Sequence, residues 1–212
     1  MTTDRSPDDP YRIDSLEALR AVIAEPTPGT EAKILPALDD YAVDFLSRCP
    51  FLVLSTCDAE GRLDASPKGD APGFVLVEDE ETVVIPDRPG NKLAYGHSNI
   101  LGNPQVGLLG VVPGTAETLR INGRAELTRD PALLDRLAAR GRPAVLAIRV
   151  RVDEVFFHCA KAFIRSKLWA PETWPEDYRV SLGEMFARRA GGDAAMARNL
   201  DAAIEENYRS EL

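Results

Sequence analysis

The sequence predicts a mainly β protein, a closed or split antiparallel barrel with helices flanking it. Three observations carry that expectation: six or more strand-like runs fill the chain from Phe51 onward, short turns join most of them, and only two helical stretches interrupt them. A parallel sheet would need a crossover helix between successive strands, and the chain has too few. At 212 residues one hydrophobic core can form without disulfide or metal staples. The expected organisation is a single structural domain in three segments: residues 1–50 as a helical segment packed on the barrel, 51–170 as the barrel, and 171–212 as a helical extension.

The elements follow in order. Leu16, Leu19, Val22 and Ile23 recur at helical spacing behind Ser15, a good N-cap, which predicts a helix over 15–25. Pro26–Gly29 is a loop, and a second helix is predicted over 39–49. FLVLSTC from Phe51 and RLDASPKGD from Arg62 form a hairpin around Asp58–Gly61, where glycine tolerates the positive φ of a tight connection. Strands are expected at Gly73–Val77 and Thr82–Pro86, then a short helix from near Gly90 to Leu101, stopped by Gly102-Asn103-Pro104. QVGLLGVV, TLRINGRAELT, AVLAIRVRV and EVFFH supply the later strands, with a helix over 131–140 among them and mixed helical texture from Ser181 to the end.

Composition narrows the function classes. The formal net charge of −9 disfavours nucleic acid and anionic membrane surfaces as partners, and no apolar run approaches the roughly 18–20 residues that span a bilayer. The first twelve residues, MTTDRSPDDPYR, lack the basic flank and apolar stretch of a secretory leader, so the expected location is cytoplasmic. Cys49, Cys57 and Cys159 form no CxxC pair and read as small buried hydrophobes. Against the acidic background two basic clusters stand out: Arg88 with Lys92, and Lys161, Arg165 and Lys167, three cations without an acid in seven residues.

The middle of the chain resembles the pyridoxamine 5′-phosphate oxidase-like superfamily of FMN-binding split barrels. The resemblance rests on an order of elements: FLVLSTCDAEGRLDASPKGD, then VVIPDRPGNKLAYGHSNILGNPQVGLL, then LRINGRAELT, and last HCAKAFIRSKLW, together about Phe51 to Trp169. The final segment is similar to that of a bacterial subgroup of uncharacterised FMN proteins. The carboxy-terminal segment with which true pyridoxamine phosphate oxidases recognise their substrate has no recognisable counterpart here, which argues against vitamin B6 oxidation. The resemblance implies FMN as cofactor, a homodimer with FMN at the subunit interface, and a small-molecule substrate.

Candidate cofactor-binding residues follow from the chemistry of FMN together with the resemblance. A strand end, Gly90 and a helix start place Arg88, Asn91 and Lys92 where backbone N–H groups and two cations could hold the 5′-phosphate. Arg88 and Lys92 could equally be solvated loop charges. The stretch Ala65-Ser66-Pro67-Lys68 is polar and holds a proline, so it lies at a sheet edge or beside a ligand. By resemblance its main chain meets the flavin ring, with Lys68 near the N1 and C2 carbonyl edge and Ile85 on the neighbouring strand. The alternative is an ordinary edge guarded by lysine. A helical turn over the last basic cluster would align Lys161 and Arg165, with Trp169 a further turn on. By resemblance this segment comes from the second subunit, so that Lys161, Arg165 and Ser166 complete the phosphate and ribityl contacts; as plain sequence it is a solvated helix face. Arg120 either bonds the flavin or ties strands together, His97 caps or packs within its helix, and His158 is a candidate donor or a structural residue.

The function implied is that of an FMN-dependent oxidoreductase acting on an unknown small molecule, with no residue identified as catalytic. Two other readings stay open: a non-enzymatic flavin sensor or store, and a split barrel that binds deazaflavin F420 or haem.

Overall fold

The computed structural model describes residues 9–176 and 178–211, the last by its backbone alone. Residues 1–8, on which most of the reading of the amino terminus rests, lie outside this set. The chain forms two compact units, residues 1–34 and 35–212. In the first, helix α1 (Leu16–Val22) starts where expected, because the Ser15 hydroxyl accepts the Ala18 N–H at 3.1 Å. Leu16 and Val22 of α1 are exposed.

The second unit is built on seven strands: β1 (Phe51–Cys57), β2 (Leu63–Gly69), β3 (Leu76–Asp79), β4 (Thr82–Asp87), β5 (Gln105–Val111), β6 (Thr118–Thr128) and β7 (Leu146–His158). They form one sheet in the order β2-β1-β5-β6-β7-β4-β3, and every neighbouring pair is antiparallel. Strand β1 alternates in burial, with Leu52, Leu54 and Thr56 inward, as a half-buried strand must. Leu52, Leu54, Ile85, Ile121, Ile148 and Val150 make the centre of the core. Helix α2 (Asp40–Arg48), capped by Asp39, adds Ala42, Phe45 and Leu46 to it, and Phe45 meets Phe157 edge to face with ring centroids 5.4 Å apart. The mainly β antiparallel barrel with flanking helices is therefore as the sequence predicts.

Four elements differ from expectation, each for a local reason. Strand β3 begins at Leu76 because Gly73, at φ +81°, sits in a turn against the Ser47 carbonyl. AVLAIRVRV and EVFFH are one thirteen-residue strand, whose continuity past β6 is kept by a bulge: Asn122 faces Glu154 but Gly123 faces Val152, leaving Asp153 as the extra residue. Only glycine suits position 123, since a Cβ there would overlap the Arg151 carbonyl. Helix α3 (Tyr95–Gly102) starts five residues later than Gly90, because Lys92 and Ala94 adopt the left-handed conformation at φ +62° and +52°. Helix α4 (Pro131–Arg136) ends before Arg140, which is itself left-handed.

Beyond the barrel lie α5 (Lys161–Ser166), α6 (Leu182–Arg189) and α7 (Ala194–Glu211). The last two form a hairpin locked by Asp201, which accepts from the Ser181 hydroxyl and the Gly183 N–H, both at 2.7 Å. Among the cysteines only Cys49 is buried as expected; burial pushes its thiol up, against hydrogen bonds to the Phe51 and Val111 carbonyls. Cys57 is half-buried and Cys159 exposed, so the expectation holds for one of three. Among the described residues no helix is long and apolar enough to cross a membrane.

Candidate functional site: a groove along the free edge of β2

Strand β2 is the end of the sheet and pairs only with β1, so one of its backbone edges makes no ladder bonds. A groove of about 600 Å³ runs between that edge, the β4–α3 connection and the first turn of α3. The volume is in the range of small-molecule and cofactor sites. Ala65, Ser66, Pro67 and Lys68 line it from β2, and Arg88, Asn91 and Lys92 from the connection. Seven of the eleven candidate residues thus share one concavity.

The sequence brought these two stretches together through charge and close packing. Lys68 Nζ donates to Asp87 Oδ1 at 2.7 Å, and His97 Nε2 lies 3.2 Å from the same oxygen, off the line of a hydrogen bond. Burial works to raise the Asp87 carboxyl, but contacts from His97 and Lys68 outweigh it and hold Asp87 below the usual carboxylate range. Helix α3 can sit this close because position 96 is glycine, its missing Cβ facing Asp64 Oδ2 at 3.2 Å and Ser66 Oγ at 3.6 Å. Asn99 Nδ2 donates to the buried Thr56 hydroxyl at 3.0 Å and anchors α3 on β1.

Arg88 is placed differently from the sequence expectation. Its Nε donates to Asp70 Oδ2 at 2.8 Å and its Nη2 to the Leu137 carbonyl at 2.9 Å, so most of the guanidinium is engaged between the end of β2 and the residue after α4. The Asp70 carboxylate is nearly buried; burial works to raise it, but the Ala71 N–H, Arg88 and the charge of Arg140 keep it low. Lys92, by contrast, is exposed and makes no ion pair among the described residues. Asn91 Oδ1 accepts from the Leu93 N–H at 3.0 Å, a turn that shapes the loop carrying Lys92. The helix N-terminus that faces the groove belongs to Tyr95–His97, not to Gly90.

Four candidate residues are not brought into the groove. Ile85 is fully buried in the core. Lys161, Arg165 and Ser166 lie on α5, exposed and apart from the groove lining of their own chain. The helix stops at Ser166 and Lys167 turns left-handed, so Trp169 is not a further turn of the same face. Trp169 Nε1 instead donates to the Thr115 carbonyl at 2.8 Å, and its ring meets Phe163 edge to face. Arg120 ties strands: its Nη2 bonds Glu154 Oε1 at 3.0 Å, an oxygen shared with Asn122 Nδ2, and its guanidinium stacks on Phe156 at 4.4 Å. Two groove residues, Asp87 and His97, were missed as site residues. The signal for Asp87 was present, an acid closing the apolar run TVVIP; nothing local marked His97.

An antiparallel sheet of this order, with a groove along its free β2 edge lined by Lys68, Arg88 and Lys92 and by Asp64 and Asp87, defines the class as a split barrel. The chain belongs to the pyridoxamine 5′-phosphate oxidase family, whose model matches residues 38–159, the whole barrel up to one residue past β7. The match ends before α5. No curated protein is significantly similar to the chain in sequence. Among solved structures, HupZ of Group A Streptococcus is 17% identical, with a TM-score of 0.47, covering 57% of this chain and 93% of its own. General stress protein 26 of Bacillus anthracis is 13% identical, TM-score 0.42, over 54% and 89% of the two chains. An FMN-binding protein of Syntrophomonas wolfei is 10% identical, TM-score 0.42, over 55% and 87%.

Proposed function

We propose that the chain binds FMN in the β2 groove and, as a homodimer, acts as an FMN-dependent oxidoreductase on a small molecule. The observation that carries this reading is the groove itself: a free strand edge, Lys68, Arg88 and Lys92, and a helix N-terminus, converging on about 600 Å³ in a family of flavin-binding split barrels. These features fit the cofactor part by part. The backbone of Ala65–Lys68 offers hydrogen bonds to the edge of a flat ring, and the loop of Asn91 and Lys92 offers positive charge and N–H groups to a phosphate. Lys92 is the cation free to take the phosphate, while Arg88 is left with its Nη1 hydrogens and the second on Nη2 unless it gives up Asp70 or Leu137.

FMN, when bound, supplies the redox chemistry; the chain's own residues bind it, orient it and set the charge around it. In the homodimer the exposed α5 of a second copy brings Lys161, Arg165 and Ser166 to the phosphate and ribityl chain, which explains why they stand away from the groove of their own chain. A groove open on one side gains a wall in this way.

Calorimetric titration of the purified protein with FMN tests the reading, together with the visible spectrum of the protein as isolated. Two flavin bands and saturable binding at one FMN per chain are the expected results. A protein that is colourless and takes up no FMN overturns it; a Soret band or a single violet band would replace FMN by haem or deazaflavin. Reduction by NADH or NADPH in a stopped-flow instrument then separates an oxidoreductase from a flavin store.

A further inference from the structure

The groove contains a charge pair that cofactor binding alone does not require. Lys68 comes from β2, the outermost strand at one end of the sheet, and Asp87 is the last residue of β4, next to the outermost strand at the other. Their 2.7 Å contact therefore spans the split of the barrel. Both side chains are mostly shielded, 17% and 15% exposed, and both line the groove. His97 approaches the same Asp87 oxygen from α3, while Arg88, the nearest other cation in sequence, is turned to Asp70 and does not compete.

Shielding matters because a charge interaction several times weaker in water becomes appreciable in such a site. An ammonium facing the groove alone would present a full positive charge to a ligand; one locked to a carboxylate presents close to none. A flavin gains negative charge on reduction, and charge near its N1 edge is one of the means by which a protein tunes its electronics.

We propose that Asp87 is a positioning residue that holds Lys68 in the groove and cancels its charge, so that the Lys68–Asp87 pair sets how readily the bound flavin is reduced. This inference rests on the flavin reading above. A bare Lys68 stabilises the reduced cofactor, a bare Asp87 the oxidised one, and the intact pair stands between. The pair also closes the seam between β2 and β4, and a purely structural role is separable from the electrostatic one by sign: loss of either partner weakens a seam alike, but shifts a redox equilibrium in opposite directions.

The test is the reduction potential of FMN bound to the native protein, Asp87→Asn, Lys68→Gln and the double variant, each equilibrated anaerobically against reference dyes. Asp87→Asn is expected to move the equilibrium about tenfold towards reduced flavin, about 30 mV upward for a two-electron couple. Lys68→Gln is expected to move it about tenfold the other way. The double variant, which keeps two hydrogen-bonding amides and no charge, returns to within about threefold of the native value, and Asp87→Glu, which keeps the charge, stays near it. Single variants that shift in the same direction, that shift by less than threefold, or that the double variant does not restore overturn the inference. Should Asp87→Asn fail to fold, Lys68→Gln decides alone, since an unchanged or raised potential overturns it equally. A native protein that binds no FMN defeats the flavin reading itself; a native protein that binds FMN, with potentials indifferent to these substitutions, defeats only the charge pair.

Discussion

Two basic regions of this chain look alike in sequence and differ in the fold. The α5 segment packs three cations into seven residues with no acid among them, yet it lies exposed, and Ser166 spends its hydroxyl on the Phe163 carbonyl one turn back. The groove draws its cations from β2 and the β4–α3 connection, about 20 residues apart, and two of its three are already held by buried or half-buried acids. Density of charge along the chain is thus a poor guide to a site. Convergence with shielding, and acids that fix the bases in place, mark the groove as the built one. The α5 cations become functional only if another molecule covers them, which is the part the proposed homodimer assigns to the second copy.

The largest effect expected is from Arg88→Ala. It leaves the nearly buried Asp70 carboxylate without its ion-pair partner, and the Leu137 carbonyl without its Arg88 donor, at a cost of about 2–3 kcal/mol given that Arg88 itself is partly exposed. For a chain of this length that is a fall in melting temperature of roughly 5–10 °C, readable by calorimetry with no ligand present. FMN affinity drops as well, but the apoprotein effect distinguishes a cation that is part of the scaffold from one reserved for a ligand. Lys92→Ala is the converse. With no ion pair to lose it should leave the melting temperature within about 1 °C, and it should weaken FMN by about 10- to 100-fold, the worth of one or two charge-assisted hydrogen bonds. If the two variants trade places, the roles assigned to these cations are wrong.

The same contrast shows what the sequence makes legible. Alternation and turn residues settle the barrel, because burial of one strand face imposes a period of two: β6 spans the very run TLRINGRAELT, and β1 and β2 the expected hairpin. Caps settle α1 and α2, where Ser15 and Asp39 bind N–H groups three residues on. The loop from Arg88 to Ala94 was misread because Gly90 looks like a helix start, whereas two non-glycine residues bend left-handed just after it. That conformation costs roughly 1–2 kcal/mol at each residue and is decided by what α3 must reach, Asp64, Ser66 and Thr56 on the neighbouring strands. The partners of Arg88 and Lys68 were invisible for the same reason: Asp70 and Asp87 lie 18 and 19 residues away, and only closure of the split barrel brings them near. Sequence reading reached seven residues of the groove but neither Asp87 nor His97, and not the pairing that divides their labour.

Acid should separate the groove from α5 at intermediate magnitude. Asp70 and Asp87 both titrate below the ordinary carboxylate value in the fold. A carboxyl whose folded value is depressed adds stability that is fully present above its unfolded value, near 4, and is lost as pH falls through the folded one. Urea unfolding of the apoprotein at pH 7, 5 and 3 should therefore show little change between the first two and a loss at the third. Asp87→Asn should flatten part of that loss. Substitutions on α5 should leave the profile untouched, because nothing there faces either acid.

The smallest effect, and the one most specific to the dimer, belongs to Arg165. It is exposed and distant from the groove of its own chain, so in a monomer Arg165→Ala should alter neither stability nor FMN binding. In a homodimer in which α5 covers the neighbouring phosphate, the variant weakens FMN by severalfold, and the deficit shrinks as salt rises, since an exposed cation near a dianion is screened over about 8–10 Å. The measurement is FMN affinity at two salt concentrations, at protein concentrations above and below the dissociation midpoint found by sedimentation. Loss of affinity in the variant only where the dimer persists would place the two basic regions on one ligand from two chains. Equal affinity for native and variant dimers would leave α5 as the solvated helix face that its exposure describes, and the groove would have to hold its phosphate with Lys92 and the N-terminus of α3 alone.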